Sequence, residues 1–242
     1  MISRFYCPIP LQSGRSITLP PEAAHHALRV LRLRSGDEVV LFDGLGGEYP
    51  GRLLEATGVL RVALGERRDI QREAPLALTL AQALPSGDKM DWVVQKAVEL
   101  GAKAIHPVEA KRSVVRIKGE RADKRRVHWQ HVAISACEQS GRNRVPEIGV
   151  IVDLPHYLAM SRDENETLLL LSPQPGTRLS ALHKPPAGVT LLVGPEGGFD
   201  EGEESAAHSA GFLGVNLGPR VLRTETAGIA AVAAMLALWG DY

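Results

Sequence analysis

Two short stretches, TLLLLS at 167–172 and VTLLVG at 189–194, are apolar at nearly every position and end at small residues or proline. A strand with one wet face alternates apolar and polar residues. A run with no alternation has to be covered on both faces, which is the condition of a strand inside a parallel sheet. The runs are also shorter than the ten or more residues expected of a core helix. They therefore predict a sheet flanked by helices on both sides, and the neighbouring sequence agrees. LALTLAQAL, from Leu76, reads as a buried strand and is followed by DKMDWVVQKAVELG, a helix with Asp88 as N-cap and Gly101 past its end. AKAIHPVEA is the next strand. Arg126–Ser140 is a second helix with Trp129, Val132, Ala133, Ala136 and Cys137 along one face. GFLGVNLG is a last strand, and Glu225–Trp239 closes the chain as a helix. Such alternation of strand and helix predicts an α/β fold with a mostly parallel sheet.

The first seventy residues differ. Pro20 and Pro21 lead into AAHHALRVLRLRSGD, where Ala24, Leu28 and Leu31 recur at helical spacing and Gly36 stands as a terminator. EVVLFDG, EYPGRLLEA and VLRVALGE follow as three short β-prone runs between glycine-rich turns. This predicts a small β-rich module, a curled sheet or barrel with one helix. The charged segment RRDIQREAP marks its end, which divides the chain into residues 1–72 and 73–242. An apolar fraction of 44% supplies ample core for both.

Charge narrows the function. Lys and Arg number 28, as do Asp and Glu, so no global polyanion-binding charge exists. The middle third is nevertheless basic and the last third acidic. Lys111–Arg126 (KRSVVRIKGERADKRR) holds eight basic residues, a footprint that fits phosphate contacts or a solvated, solubilising face. His128 and His131 stand i, i+3 with no third ligand in view, and His25-His26 has no partners, so no metal is expected. Cys7 and Cys137 show no redox or metal spacing, which suits a reducing compartment. The start lacks the apolar stretch of a signal peptide, and Ala227–Trp239 is too short to span a bilayer. A protein without a membrane partner, in the cytoplasm, is the expectation.

Three loops leave the carboxyl ends of predicted strands, where α/β sheets collect their ligands. They are Ser172–Gly176 (SPQPG), Gly194–Asp200 (GPEGGFD) and Leu217–Thr226 (LGPRVLRTET), all rich in Gly or Pro. GPEGG matches neither phosphate-binding pattern, GxxxxGK[ST] or GxGxxG, and Glu196 would repel a pyrophosphate. Either Glu196 is a solvated residue on a tight turn, or the loop receives a ligand with a positive centre. S-adenosylmethionine, with its sulfonium and no phosphate, is such a ligand. No GxSxG hydrolase elbow is present.

Taken in order, VVQKAVELGAKAIHPV, ISACEQSGRNRVPEI, LLVGPEGGFDEGE and LGPRVLRTETAGIAA closely resemble the bacterial 16S ribosomal RNA uridine-N3 methyltransferases of the SPOUT class. HHALRVLRLRSGD resembles their PUA-like RNA-binding domain, so the resemblance spans essentially the whole chain. It implies a SPOUT-type sheet with a C-terminal trefoil knot, a homodimer, and S-adenosyl-L-methionine as cofactor; the small residues Ala230, Ala231, Ala233 and Ala234 make the C-terminal helix the candidate dimer contact. It also implies methylation of N3 of a decoding-region uridine in the assembled small ribosomal subunit. The cofactor would be held by Leu171, Ser172, Gly194, Pro195, Gly197, Gly198, Leu217, Gly218, Leu222, Arg223 and Thr224. RNA would meet Arg29, Arg32, Lys111, Arg112, Lys124, Arg125, Arg126 and Arg144. Uridine N3 carries a proton at neutral pH, so the chemistry needs a base or a cation that stabilises the base anion. Arg142 is the candidate cation. Glu196 and Glu225 are the candidate bases, though Glu225 reads rather more readily as a cap or a structural partner of Arg223. A valine at Gly194 or Gly218 would be expected to intrude on the adenosyl group. The rivals are a non-catalytic RNA-binding protein, a small-molecule nucleotide enzyme, and a SPOUT enzyme for another RNA nucleoside.

Overall fold

The computed structural model describes residues 2–56, 59–174 and 176–240. Met1, Thr57, Gly58, Asp241 and Tyr242 lie outside them, as does Pro175 of the SPQPG loop. The chain packs as two units. Residues 1–73 together with 134–145 form one, and residues 74–133 with 146–242 form the other. The inclusion of 134–145 in the first unit is invisible in the sequence, where these residues only continue a helix.

The N-terminal unit is a five-stranded sheet in the order β1 (Ser3–Tyr6), β3 (Glu38–Phe42), β4 (Tyr49–Ala56), β5 (Val59–Leu64) and β2 (Ser16–Thr18). The β1–β3 pair is parallel and the other pairs are antiparallel. Its core gathers Phe5, Leu41, Leu53 and Val62 around Cys7 and Ala27. The expected long helix is not formed. A short α1 (Pro21–His25) passes into one π-helical turn at His26–Val30, and Arg32 then adopts φ +55. Ala27 is the buried residue of this segment, while Leu28 and Leu31 are exposed, so the helical face read from spacing is the wrong one. The wider turn shifts the register by one residue. Gly36, at φ +93, is a turn residue whose N–H donates to the Leu53 carbonyl rather than a helix cap.

A buried charge network fixes the 141–143 loop within this unit. Glu48 Oε2 accepts from Arg4 Nη1 at 2.7 Å and Arg72 Nη1 at 2.9 Å. Asn143 accepts from Arg4 and donates to the Ile70 carbonyl at 3.0 Å. Burial acts to raise the Glu48 carboxyl, but the two arginines outweigh it and hold the group below its ordinary range.

The second unit is a parallel sheet in the order β11 (Thr177–Arg178), β13 (Leu213–Asn216), β10 (Thr167–Leu171), β12 (Gly188–Val193), β6 (Ala77–Ala83), β7 (Ala104–Glu109) and β8 (Glu147–Ile148). A further two-residue strand, β9 (Val152–Asp153), also pairs with β7. The helices are α2 (Lys89–Glu99), α3 (Glu120–Ser140), α4 (Leu154–Leu158), α5 (Glu201–Ser209) and α6 (Thr224–Trp239). Every residue of β12 is buried, and the two-sided covering explains its lack of alternation. Leu80 and Val193 point to Gly228 of α6, which packs beside α2. Ala81 and Leu192 point the opposite way, into a cluster with Leu154 of α4, Ala207 of α5 and Phe212. The helix expected from Arg126 begins earlier, at Glu120, so most of the charge run KGERADKRR is helical rather than loop. Asp88 occupies the N-cap position of α2, but its side chain makes no cap hydrogen bond; its carbonyl accepts from Asp91 N at 3.1 Å.

Candidate functional site

The carboxyl ends of β10, β12 and β13 carry the three loops singled out above, and in the structure they enclose one cavity of about 380 Å³. From the first loop come Leu171, Ser172 and Pro173. The second supplies Gly194, Pro195, Glu196 and Gly198, and the third Leu217, Gly218 and Arg220 through Thr224. Ten of the eleven expected cofactor positions line it, and Gly197 does not. Its carbonyl instead accepts from Arg112 Nη1 at 3.0 Å on the other side of the loop.

The local folding of GPEGGFDEGE follows from elementary rules. Gly198, at φ +67, closes a turn by donating to the Pro195 carbonyl at 2.9 Å. Asp200 and Glu203 then form a reciprocal capping box at the start of α5. The carboxylates at 200–204 are thus a helix start, favoured by the helix dipole, and not a ligand-facing acidic run. Glu203 Oε1 also accepts the Lys111 N–H at 2.7 Å, and Lys111 Nζ reaches Asp200 at 2.8 Å.

Two buried polar residues join the loops. Thr224 Oγ1 donates to the Gly194 carbonyl and accepts from Gln82 Nε2 at 2.9 Å, tying the end of β12 to the start of α6. Asn216 Nδ2 donates to the Gly176 carbonyl, and its Oδ1 accepts the Gly218 N–H, both at 3.1 Å. Gly218 sits at φ +114, so the turn leaving β13 requires glycine.

Glu196 is exposed but not bare. Its Oε1 accepts from Ser86 N at 2.9 Å, Ser86 Oγ at 2.6 Å and Lys89 Nζ at 2.9 Å. Burial acts to raise its pKa, yet the Ser86 and Lys89 hydrogen bonds prevail and bring it down to about 2. The negative charge that suggested a cationic ligand is therefore already answered by the protein. Lys89 also stands 3.5 Å from Glu225 Oε2, too far for a good hydrogen bond, and that shielded oxygen has no closer partner. The bond to Glu196 above all raises the Lys89 pKa.

Arg142 does not line the cavity. It belongs to the N-terminal unit, is 3% exposed, and holds Glu73 Oε2 through Nε and Nη2. The reading of EQSGRNR as a segment that presents Arg142 is corrected accordingly: Arg142 and Asn143 are interior, and of the two arginines Arg144 alone is exposed. Lys111 and Arg112 brace the 197–200 loop, as described. Lys124 pairs with Glu120 at 2.7 Å on an exposed helix face, and Arg125 lies 3.6 Å from Asp88. Arg126 is half-buried, Arg29 is exposed on the π-helical turn, and Arg32 is exposed just after it. His128 Nε2 meets Asp91 at 2.7 Å, and Trp129 Nε1 donates to the same carboxylate, so this histidine braces α2 against α3. Among the described residues no cluster of three or more His, Cys, Asp or Glu could hold a metal ion. None of their helices is long and apolar enough to cross a membrane.

Sequence reasoning missed Lys89, Pro173, Val193, Arg220, Val221 and Ala227 as lining residues. Lys89 had a signal. It follows β6, the neighbour of β12, so the strand-end rule that selected three loops selects the PSGDK loop too.

Comparison with known proteins places these features among relatives. Residues 72–236 match the RNA methyltransferase domain family, and residues 19–58 match the RNA methyltransferase PUA domain. The chain is 33% identical to ribosomal RNA small subunit methyltransferase E of Buchnera aphidicola (subsp. Schizaphis graminum), covering 99% of this chain and 98% of that one. It is 33% identical to the protein of the same name from Bacillus subtilis, over 93% and 91% of the two chains. The crystal structure of the Neisseria gonorrhoeae ribosomal RNA small subunit methyltransferase E bound to S-adenosyl methionine superimposes with a TM-score of 0.93. That match has 42% identity and covers both chains completely.

Proposed function

The chain belongs to the ribosomal RNA small subunit methyltransferase E family, and from that premise we propose that it methylates N3 of a decoding-region uridine in 16S ribosomal RNA. The methyl donor is S-adenosyl-L-methionine, and the substrate is the assembled small subunit. The observation that carries this reading is the cavity at the ends of three adjacent parallel strands. Its volume lies within the range of small-ligand sites. Leu171, Val193, Leu217 and Leu222 give it apolar walls, and added Cβ atoms at Gly198 or Gly218 would meet open space. A cradle of backbone and aliphatic groups without a phosphate loop suits an adenosyl ligand. When bound, that ligand supplies a methyl group activated by the sulfonium.

The residues of the chain have the remaining tasks. The 194–198 and 217–224 loops orient the donor and exclude water, and alignment of this kind contributes up to ~7–11 kcal/mol in favourable cases. Glu196, held at about 2, is too weak a base to receive the N3 proton and serves to anchor Lys89. Glu225 is the remaining candidate acceptor: it is not itself a lining residue, but it stands between the lining residues Thr224 and Ala227 in the chain, and its Oε2 accepts no short hydrogen bond, with Lys89 Nζ 3.5 Å away. Arg142 acts as a structural residue.

The same reading includes a trefoil knot of the C-terminal loops, cytoplasmic residence, and a homodimer. For the dimer, α6 leaves Ile229, Ala230, Ala233 and Ala234 only partly covered and Leu238 47% exposed. The RNA contacts proposed for it are Arg29, Arg32, Lys124, Arg125, Arg126 and Arg144. Purified protein, labelled S-adenosyl-L-methionine and unmodified small subunits provide the test, with nucleoside mapping of the product. N3-methyluridine at one decoding-region position is expected. Methylation of another nucleoside, or none, would overturn the reading.

A further inference from the structure

Four charged side chains line the cavity: Lys89, Glu196, Arg220 and Arg223. Lys89 and Glu196 answer each other at 2.9 Å. The side chains of Arg220 and Arg223 make no hydrogen bond or ion pair among the described residues. The cavity thus keeps an uncompensated positive wall, and it lies on the 217–223 loop, the side opposite Glu196 in charge.

The backbone prepares this wall. Gly218 turns at φ +114, Pro219 has its own φ fixed by its ring, and Arg220 follows directly. Arg223 occupies the N-cap position of α6, where the helix dipole is already positive. Like charges gathered at a helix start raise the local potential and strengthen the pull on an incoming anion. Leu222, half-buried in the same wall, sets an apolar surface beside the two exposed arginines.

Resting on the function proposed above, we propose that Arg220 is the catalytic cation of this site, stabilising the negative charge that forms on the pyrimidine ring. In the step, the N3–H bond breaks and its proton passes to the Glu225 carboxylate, leaving the electron pair on N3 with charge spread to O2 and O4. That pair forms the N3–CH3 bond as the S–CH3 bond breaks, and the sulfur keeps the bonding electrons as a neutral thioether. Arg220 faces O2 or O4 and lowers the cost of the anion. Arg223 stands behind it as a positioning charge. A phosphate contact is the other use of such an arginine. Arg220 is exposed, and what favours the ring is that it also lines the cavity, between glycine turn and helix start.

The two uses separate in kinetics. Arg220→Ala should lower kcat by roughly 10²–10³-fold, with KM for small subunits within about threefold of wild type. Arg220→Lys should recover part of the rate. The deficit should shrink at alkaline pH, where N3 ionises unaided, and on subunits reconstituted with 5-fluorouridine at the target, whose N3 is more acidic. Without cofactor, wild-type protein should bind the fluorinated subunits more tightly than unsubstituted ones at alkaline pH, and Arg220→Ala should not. Calorimetry should show S-adenosyl-L-methionine affinity within about twofold. Weaker cofactor binding, a raised KM with intact kcat, or a deficit independent of pH would each overturn the assignment. If wild-type protein makes N3-methyluridine and Arg220→Ala does so equally fast, this inference fails alone. If wild-type protein makes none, the functional reading itself fails.

Discussion

Replacing Thr224 with valine removes one hydroxyl and keeps the shape of the side chain. Thr224 is 6% exposed, so the change is felt inside the protein. Its Oγ1 donates to the carbonyl of Gly194, in the cavity wall, and accepts from Gln82 Nε2 at 2.9 Å. Two hydrogen bonds are lost, and the losses are unequal. Gln82 Nε2 keeps a second acceptor, the Ala83 carbonyl at 3.0 Å, while the Gly194 carbonyl loses the hydroxyl that joins it to α6. A net hydrogen bond contributes about 1 kcal/mol, and a buried group left unpaired costs about 1–3 kcal/mol. The sum for the pair is about 2–3 kcal/mol of stability. Because the tie joins two cavity loops, part of the loss also reaches the ligand. Each 1.4 kcal/mol corresponds to about tenfold in affinity, so the cofactor Kd should rise roughly tenfold. Urea unfolding measures the first effect and calorimetry with S-adenosyl-L-methionine the second. Thr224→Ser, which restores the hydroxyl, should recover most of both. If the valine variant matches wild type in stability and affinity, or if serine is as harmful as valine, the tie between Gly194 and α6 does not hold the cavity together.

Three further outcomes are expected. Glu196 has a pKa depressed from 4.5 to about 2, so its stabilisation is fully present above about pH 4.5 and is lost as pH falls towards 2; Glu196→Gln should flatten the acid side of the stability–pH curve there. Arg112→Ala frees the Gly197 and Phe199 carbonyls and should weaken cofactor binding about three- to tenfold, while the salt dependence of RNA binding, read by filter retention, stays as it was. Arg142→Ala leaves Glu73 without its buried partner and should cost about 3–5 kcal/mol in thermal or urea unfolding, with cofactor affinity unchanged for the fraction that remains folded.

The sheet was legible because covering on both faces erases alternation, and that pattern needs only five or six consecutive residues. The N-terminal helix was not, since Ala24, Leu28 and Leu31 fit a regular helix and the π-helical turn at His26–Val30 moves Ala27 inward instead. Cavity loops could be found from a rule about strand ends, and the residues lining them are mostly those the rule selects. Roles inside the cavity depend on which charges meet, and the partners are distant in sequence. Lys89 and Glu196 are 107 residues apart, Arg112 and Gly197 are 85 apart, and Arg142 and Glu73 are 69 apart.

A charged side chain read along the chain has a sign but no partner, and the partner decides its use. Glu196 looked like a free anion on a glycine loop, yet Ser86 and Lys89 fix its proton-free form and spend its charge within the protein. Arg142, beside a glycine, looked like a mobile cation, yet it is held in the interior by Glu73. Lys111 and Arg112 looked like the start of a phosphate-binding stripe, yet they brace the loop that forms the cavity. Once each pair is removed from consideration, the cations left on the cavity wall are the two arginines of PRVLR. For a reaction whose substrate becomes an anion, the unpaired cation is the one that can respond, because a paired one must first break its own bond. The same reasoning makes Lys89 a poor substitute for Arg220: an Arg220→Ala variant should not be rescued by Glu196→Gln, which frees Lys89 from its short partner but leaves it beside Glu225 at 3.5 Å. Recovery of kcat in that double variant would show that the cavity needs only net positive charge, and that the position of Arg220 is immaterial.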